Sequence, residues 1–408
     1  MTIHDHQVLQ RGPDGNAHVT LDSGETLTLP AGGPYEVGGA KNVLIGDLWV
    51  LAGQSNMEGV GDLVDVEPPH PLVHSFQSRE QWALAEEPLH WLGESPRPIH
   101  HVIWGLPMPT EIPPRDPARA KGAGLGLTFA KAMAEQTGVP IGLIPAAHGG
   151  TSMQQWDPAR KGQGGASLYG ATLERVKAVG GHVAGILWYQ GESDANPADA
   201  ALYEARMTAL IQSFRADFEQ PDLPFYYVQL GGFISDPVPE SVSGWNRVRE
   251  SQRTWQNALP NVGMVSAIDC GLDDGIHIDT PGLKALGRRL AAVASGQPAP
   301  ALKSVTFEPG RGWLRVSFDH VQGALQAAGR PAGFTLRDAG GAELPLIYKV
   351  AFDGPDALLK LTDPARLPGA SLWYGWGLAP YCNVTDGTGA AVPAFGPARI
   401  GQGRGKIG

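Results

Sequence analysis

Five nearly continuous apolar runs, Val43 to Ala52, Ile141 to Ala147, Val183 to Tyr189, Phe225 to Leu230 and Val262 to Ile268, restrict what this 408-residue chain can fold into. Unbroken runs of that length suit strands covered on both faces, as in a parallel sheet sandwiched by helices. The segments between them carry helical spacing, at Leu125 to Gln136, Leu168 to Val179, Ala198 to Phe218, Arg247 to Leu259 and Pro281 to Ala294. Strand and helix alternate five times. The pattern predicts a doubly wound, three-layer α/β/α unit with a five-stranded parallel sheet over residues 43–297.

Other textures flank that unit. Residues 1–42 are turn-rich, with Val19, Leu21, Leu27 and Leu29 between Gly, Asp and Pro clusters, and read as a short N-terminal β segment expected to pack on the C-terminal domain. Residues 61–121 form an insertion between the first strand and its crossover helix, rich in Pro and His and carrying Trp82, Trp91 and Trp104. An unstructured loop of that length is improbable in a compact domain, so the insertion is expected to be a substrate-facing excursion. After Gln297-Pro298-Ala299-Pro300 the period becomes two: Leu314, Val316 and Phe318 alternate with Arg315, Ser317 and Asp319. Further short pieces at Phe334 to Leu336, Leu346 to Val350 and Leu372 to Trp376 predict a small β-sandwich over 301–408. The 55 Gly and 35 Pro fit these many turns, since 42% hydrophobic residues are too many for a disordered chain.

Charge removes one class of function. With 31 Lys+Arg against 41 Asp+Glu the net charge is −10, and no basic run offers a footprint for nucleic acid. The two cysteines, Cys270 and Cys382, lack CxxC spacing and are expected to be buried small hydrophobes. His90, His100 and His101 do not stand at metal-ligand spacing, so neither metal nor other cofactor is implied. No stretch approaches the roughly 18 apolar residues of a membrane span, and the first residues lack a leader pattern. The chain as written is expected to be cytoplasmic, or periplasmic or secreted if a leader has been removed.

Open α/β sheets bind ligands beyond the carboxyl ends of their strands. Four ends carry reactive residues here: Gly53-Gln54-Ser55-Asn56-Met57, His148-Gly149-Gly150-Thr151, Gln190-Gly191-Glu192-Ser193-Asp194 and Asp273-Asp274-Gly275-Ile276-His277. Ser55 at a strand-to-helix turn can present a nucleophilic hydroxyl. His277 can serve as its general base, and Asp274 three residues earlier can orient the imidazole. The Ser55 amide, a backbone N–H of Gly149 or Gly150 and the side-chain amide of Gln190 are candidate oxyanion donors. Gln54, Glu192 and Trp156 are candidates to touch substrate, Trp156 by stacking on a sugar ring.

These blocks, GQSNM, the Gly149-Gly150 pair, WYQGESD and DGIH, resemble those of SGNH hydrolases, specifically the sialate O-acetylesterase-like carbohydrate esterases. The likeness extends to Gly32-Gly33-Pro34-Tyr35, Glu87-Pro88-Leu89-His90, Ser167-Leu168-Tyr169-Gly170, Arg249-Glu250 with Gln252, and Leu372-Trp373-Tyr374-Gly375-Trp376 followed by Asn383. The DGIH spacing is similar to that of plant and xylan-type acetylesterases. The resemblance implies a flavodoxin-like SGNH domain and a serine esterase removing acetyl groups from mono- or oligosaccharides. It implies Ser55 as nucleophile, His277 as base, Asp274 as its orienter, and Ser55, Gly149 or Gly150, and Gln190 around the oxyanion. Two rival readings are a short-chain esterase or lactonase acting on a non-sugar substrate, and a carbohydrate-binding protein without catalysis.

Overall fold

The structure, a computed structural model, describes residues 2–402. The N-terminal segment holds β1 (Val8–Gln10), β2 (Asn16–Thr20), β3 (Thr26–Pro30) and β4 (Gly32–Val37), and leads into the 14-residue β5 (Ala40–Gly53). A one-turn helix α1 (Ser55–Glu58) follows, and the insertion contains β6 (Gly61–Asp62), β7 (Val73–Phe76), β8 (Trp82–Leu84), α2 (Ile99–Val102) and β9 (Lys121–Ala123). The alternating portion then runs α3 (Gly126–Thr137), β10 (Ile141–Pro145), α4 (Leu168–Ala178), β11 (Gly185–Tyr189), α5 (Pro197–Ala200), α6 (Tyr203–Asp217), β12 (Phe225–Gln229), α7 (Pro239–Trp255), β13 (Val262–Ser266) and α8 (Thr280–Ala294).

The main sheet has the order β13-β12-β11-β5-β10-β7-β8. Its first six members are mutually parallel. Numbered along the five strands expected from the sequence, the order is 2-1-3-4-5, which is the flavodoxin-like winding with its switch point between β5 and β11. Both faces are covered. Tyr226 of β12 stacks on Trp49 of β5, which meets Phe129 of α3 edge-on. On the other face, the next residue along β12, Tyr227, packs against Trp255 of α7. Helix α8 lies directly on α3: a Cβ on Gly287 would stand 2.6 Å from the Leu125 carbonyl oxygen, so only glycine permits that approach.

Two expectations are corrected. Among the described residues the unbroken parallel run β13-β12-β11-β5-β10-β7 has six strands rather than five, because the insertion contributes the buried β7, which pairs with β10 and turns back as antiparallel β8. Val73-His74-Ser75-Phe76 is short and half polar, so it lacks the apolar run that announces the other strands. The described part of the N-terminal segment packs on β5 rather than, as expected, on the C-terminal sheets. β1 pairs parallel and β4 antiparallel with the first half of β5, and Leu9, Val19, Val37, Val43 and Ile45 form a small core of their own.

Beyond Ala301 the chain forms a five-stranded sheet, in the order Ile347–Asp353, Asp356–Leu361, Trp313–Asp319, Ala301–Glu308 and Gly401–Gln402. A four-stranded antiparallel sheet made of Glu343–Leu344, Phe334–Arg337, Ser371–Tyr374 and Phe395–Arg399 accompanies it. Leu314, Val316 and Leu359 of the first and Leu336, Leu372 and Phe395 of the second share one core. Ile268, just past β13, belongs to that core as well and marks where the two parts of the molecule meet.

Candidate active site

The carboxyl ends of β5 and β11 lie side by side because Gly53 has no side chain: a Cβ there would stand 2.2 Å from the Tyr189 carbonyl oxygen. Gly53 also adopts φ +132°, a conformation that L side chains rarely adopt. The Gln54 N–H donates to that same Tyr189 oxygen at 2.9 Å. The chain then turns into α1, whose first residue, Ser55, is 9% exposed. Within α1 the Met57 and Glu58 amides donate to the Gln54 carbonyl. The Ser55 N–H heads the turn, where a helix amide has no partner in its own helix.

His277 lies in a tight loop between β13 and α8. Asp274 organises that loop: its Oδ1 accepts the backbone N–H groups of Ile276 and His277, each at 2.9 Å, and its Oδ2 meets His277 Nδ1 at 2.7 Å. Facing a carboxylate, Nδ1 carries the proton, so Nε2 is the ring's available base. Burial alone would raise the Asp274 carboxyl, but the His277 hydrogen bond and the two amides outweigh it and hold the group down at about 2. Lys121 Nζ, at the neck of the insertion, stands 3.8 Å from Asp274 Oδ2 and 3.1 Å from Asp62 Oδ1.

Asn56 joins the serine turn to the histidine loop. Its Oδ1 accepts the Ile278 N–H at 2.9 Å, and its Nδ2 donates to the Ile276 carbonyl at 3.3 Å and to Glu192 Oε1 at 2.7 Å. The residues on either side of His277 are thus bonded to the residue after Ser55. Glu192 anchors this bridge from the β11 turn, and burial raises its carboxyl to about 7. Through Asn56 it links the β11 turn to the serine turn.

The glycine turn closes over the serine from the β10 side. A Cβ added to Gly149 would lie 3.4 Å from Ser55 Cβ. The Gly149 N–H is already committed, donating to Glu58 Oε2 at 2.7 Å. Gly150 is exposed, in the left-handed region at φ +69°, and none of the described residues accepts its N–H. Behind the turn, His148 is wholly buried, with Nδ1 3.0 Å from His100 Nδ1 and Trp104 of the insertion against its ring.

Three further expectations are corrected. Gln190 is wholly buried and its amide group donates to the Thr151 carbonyl at 3.1 Å and to Asp194 Oδ2 at 2.6 Å, so both N–H bonds are spent and none points to an oxyanion. Gln54 is also buried, and its Oε1 faces the Gly191 and Ser193 amides at 3.5 and 3.3 Å, pinning the β11 turn to the serine turn. Trp156 has no exposed surface; its Nε1 donates to Thr151 Oγ1 at 3.0 Å and its ring packs edge-on against Trp188. A buried amide or indole must find partners, and here the partners are neighbouring turns. Conversely, Asn56, Glu58 and Asp194 were not singled out from the sequence. Asn56 lies inside the GQSNM block and Glu58 is the first residue past its end.

Comparison with known proteins follows the same lines. The family model described as "Carbohydrate esterase, sialic acid-specific acetylesterase" matches residues 45–295. A probable carbohydrate esterase of Arabidopsis thaliana is 30% identical over 270 residues, which cover 60% of this chain and 88% of that protein. Human sialate O-acetylesterase is 24% identical over 287 residues, 59% of this chain, and the match spans only 53% of its own length. Among solved structures, a carbohydrate acetylesterase from Xanthomonas citri superposes with a TM-score of 0.68 at 26% identity, covering 96% of this chain and 97% of that one. The family match takes in the main sheet and all four reactive turns, and the chain is a member of the sialic acid-specific acetylesterase family of carbohydrate esterases.

Proposed function

We propose that this protein hydrolyses O-acetyl esters of sugars by a double displacement in which Ser55 is the nucleophile, His277 the general base and Asp274 its orienter. The observation that carries the reading is the His277 Nδ1 to Asp274 Oδ2 bond of 2.7 Å in a loop that Asn56 ties to the serine turn. His277 Nε2 takes the Ser55 proton as Oγ attacks the acetyl carbonyl, whose π electrons move onto oxygen. The Ser55 N–H and the uncommitted Gly150 N–H supply the donors for that oxyanion, in place of Gly149 and Gln190. Collapse of the intermediate breaks the bond to the sugar oxygen, which leaves with the proton from His277. Water, deprotonated by His277, then attacks the acetyl-Ser55 carbonyl and releases acetate.

Ser55→Ala is expected to abolish both the acetylation burst and steady-state release of p-nitrophenol from p-nitrophenyl acetate. Wild-type turnover in that variant would overturn the reading. Acetate release from acetylated sialic acids and xylo-oligosaccharides identifies the sugar class. An acyl series on the p-nitrophenyl esters tests the acyl preference: activity falling sharply beyond propionyl supports an acetylesterase, and a flat series supports a general short-chain esterase.

A further inference from the structure

Glu58 stands one helical turn beyond Ser55, so the two side chains lie on one face of α1. The residue is half-buried, and its carboxylate accepts the Gly149 N–H at 2.7 Å, while Gly149 itself presses against Ser55. The other bonds that hold the glycine turn come from behind and from neutral groups. The His148 N–H donates to the Gly53 carbonyl at 3.1 Å, Thr151 Oγ1 donates to the His148 carbonyl at 2.7 Å, and Gln190 donates to the Thr151 carbonyl. Those bonds fix the two ends of the turn. Glu58 reaches its middle, and does so from the element that carries the serine.

We propose that Glu58 is a positioning residue: by holding the Gly149 N–H it sets the rotation of the Gly149–Gly150 unit and aims the Gly150 N–H at the oxyanion formed over Ser55. This inference rests on the reading of Ser55 as nucleophile. The energetic setting agrees with a specific task. Burial raises the Glu58 carboxyl to about 7, opposed by the Gly149 amide and by the charge of Arg119, so an unneeded acid here would be a standing cost to the fold. Nothing in chain folding requires an acid at this point of α1, since a Gln or Met fills the same volume.

The test compares Glu58→Gln, whose amide oxygen still accepts the Gly149 N–H, with Glu58→Met, which keeps the volume and loses the acceptor. Both are assayed on p-nitrophenyl acetate and titrated with methylboronic acid, a probe that forms a tetrahedral adduct with a reactive serine. Mis-aiming one oxyanion donor is worth about 10²-fold in kcat. Glu58→Met is therefore expected to lose about 10²-fold in kcat and a similar factor in boronate affinity, with KM nearly unchanged. Glu58→Gln is expected to stay within about tenfold of wild type in both readouts. Wild-type kcat and boronate affinity in Glu58→Met would overturn the proposal. So would equal losses in the two variants that track their melting temperatures, because a structural role alone predicts that. If Ser55→Ala is dead while Glu58→Met turns over normally, only this inference fails; if Ser55→Ala is active, the reading beneath it fails.

Discussion

Asn56 makes three hydrogen bonds from one short side chain, to the amide and carbonyl that flank His277 and to the half-buried Glu192. Catalytic groups on different loops have no covalent reason to stay in register, and a misplacement of about 1 Å can cost about 10²-fold in rate. Asn56→Ala is expected to lower kcat on p-nitrophenyl acetate by about 10²-fold with little change in KM, since the bridge orients the base and does not meet the ester. An unchanged kcat would show that the His277 loop holds itself. The proposed Ser55, His277 and Asp274 can be named from sequence because their chemistry is carried by type: a serine at a strand end, and an Asp three residues before a His. The residues that hold them were not. Whether Gln190 faces the cleft or Thr151 and Asp194 depends on where its amide points, and one sequence contains no record of that direction. The same holds for Trp156, where a sugar platform and a core indole look identical until burial is known.

At the scale of elements, α7 does the work of joining the α/β unit to the C-terminal sheets, and it does so with a buried cation. Arg249 is 1% exposed, and its guanidinium donates to the carbonyls of Leu230 and Gly231 at the end of β12 and to those of Gly375, Gly377 and Leu378 across the seam. Burial lowers its pKa to about 9, and the carbonyl dipoles are what keep the charged form in place. Gln229 reinforces the seam from β12, donating to the Ala394 carbonyl at 2.8 Å and accepting its neighbour's approach through the Ala394 N–H at 2.8 Å. Arg249→Ala strands five carbonyls and is expected to destabilise the protein by about 3–5 kcal/mol, read as a lower midpoint in urea. Arg249→Lys is expected to recover little, because an ammonium group has three donors at one point and cannot span that ring of acceptors. A midpoint within error of wild type for Arg249→Ala would mean that the seam is held by apolar contact alone. The α/β alternation needed no such detail to be read: five apolar runs and five helical spacings name ten elements, and each is met by a strand or helix, although the 198–218 spacing is divided between α5 and α6 and α7 starts at Pro239, eight residues before the expected Arg247. β7 escaped because its strand character comes from lying beside β10, a contact that four residues of mixed polarity do not encode locally.

Across the whole molecule, the net charge of −10 says little about how stability responds to pH, because the ionisations that matter are buried. Burial holds His90 at about 3, His74 and His148 at about 4 and His100 well below its ordinary value, so these four fold in the neutral state. Their folded pKa values lie below the unfolded one of about 6.5, so they favour the native state above pH 6.5 and lose that contribution as pH falls through 4 to 3. Glu58, Glu87 and Glu192 run the other way. Burial raises each to about 7 from the ordinary 4.5, so their contribution is complete below pH 4.5 and is lost as pH rises through 7. Between pH 4.5 and 6.5 the two sets oppose each other, four groups against three. Below 4.5 the histidines act without the three glutamates and are joined by Asp274, whose lowered carboxyl loses its contribution as pH falls towards 2, and between 6.5 and 7 and just above only the glutamates of these groups act. The melting temperature is therefore expected to be nearly flat from pH 4.5 to 6.5, to fall steeply on the acid side and to decline on the neutral side. Glu192→Gln isolates one member: its amide oxygen can still accept from Asn56, and it never has to ionise in the interior. It is expected to gain about 1–3 kcal/mol over the wild type at pH 8 relative to their difference at pH 5. Thermal melts of the two proteins across pH 4 to 8 measure that difference, and parallel curves would show that Glu192 stays ionised at no cost throughout.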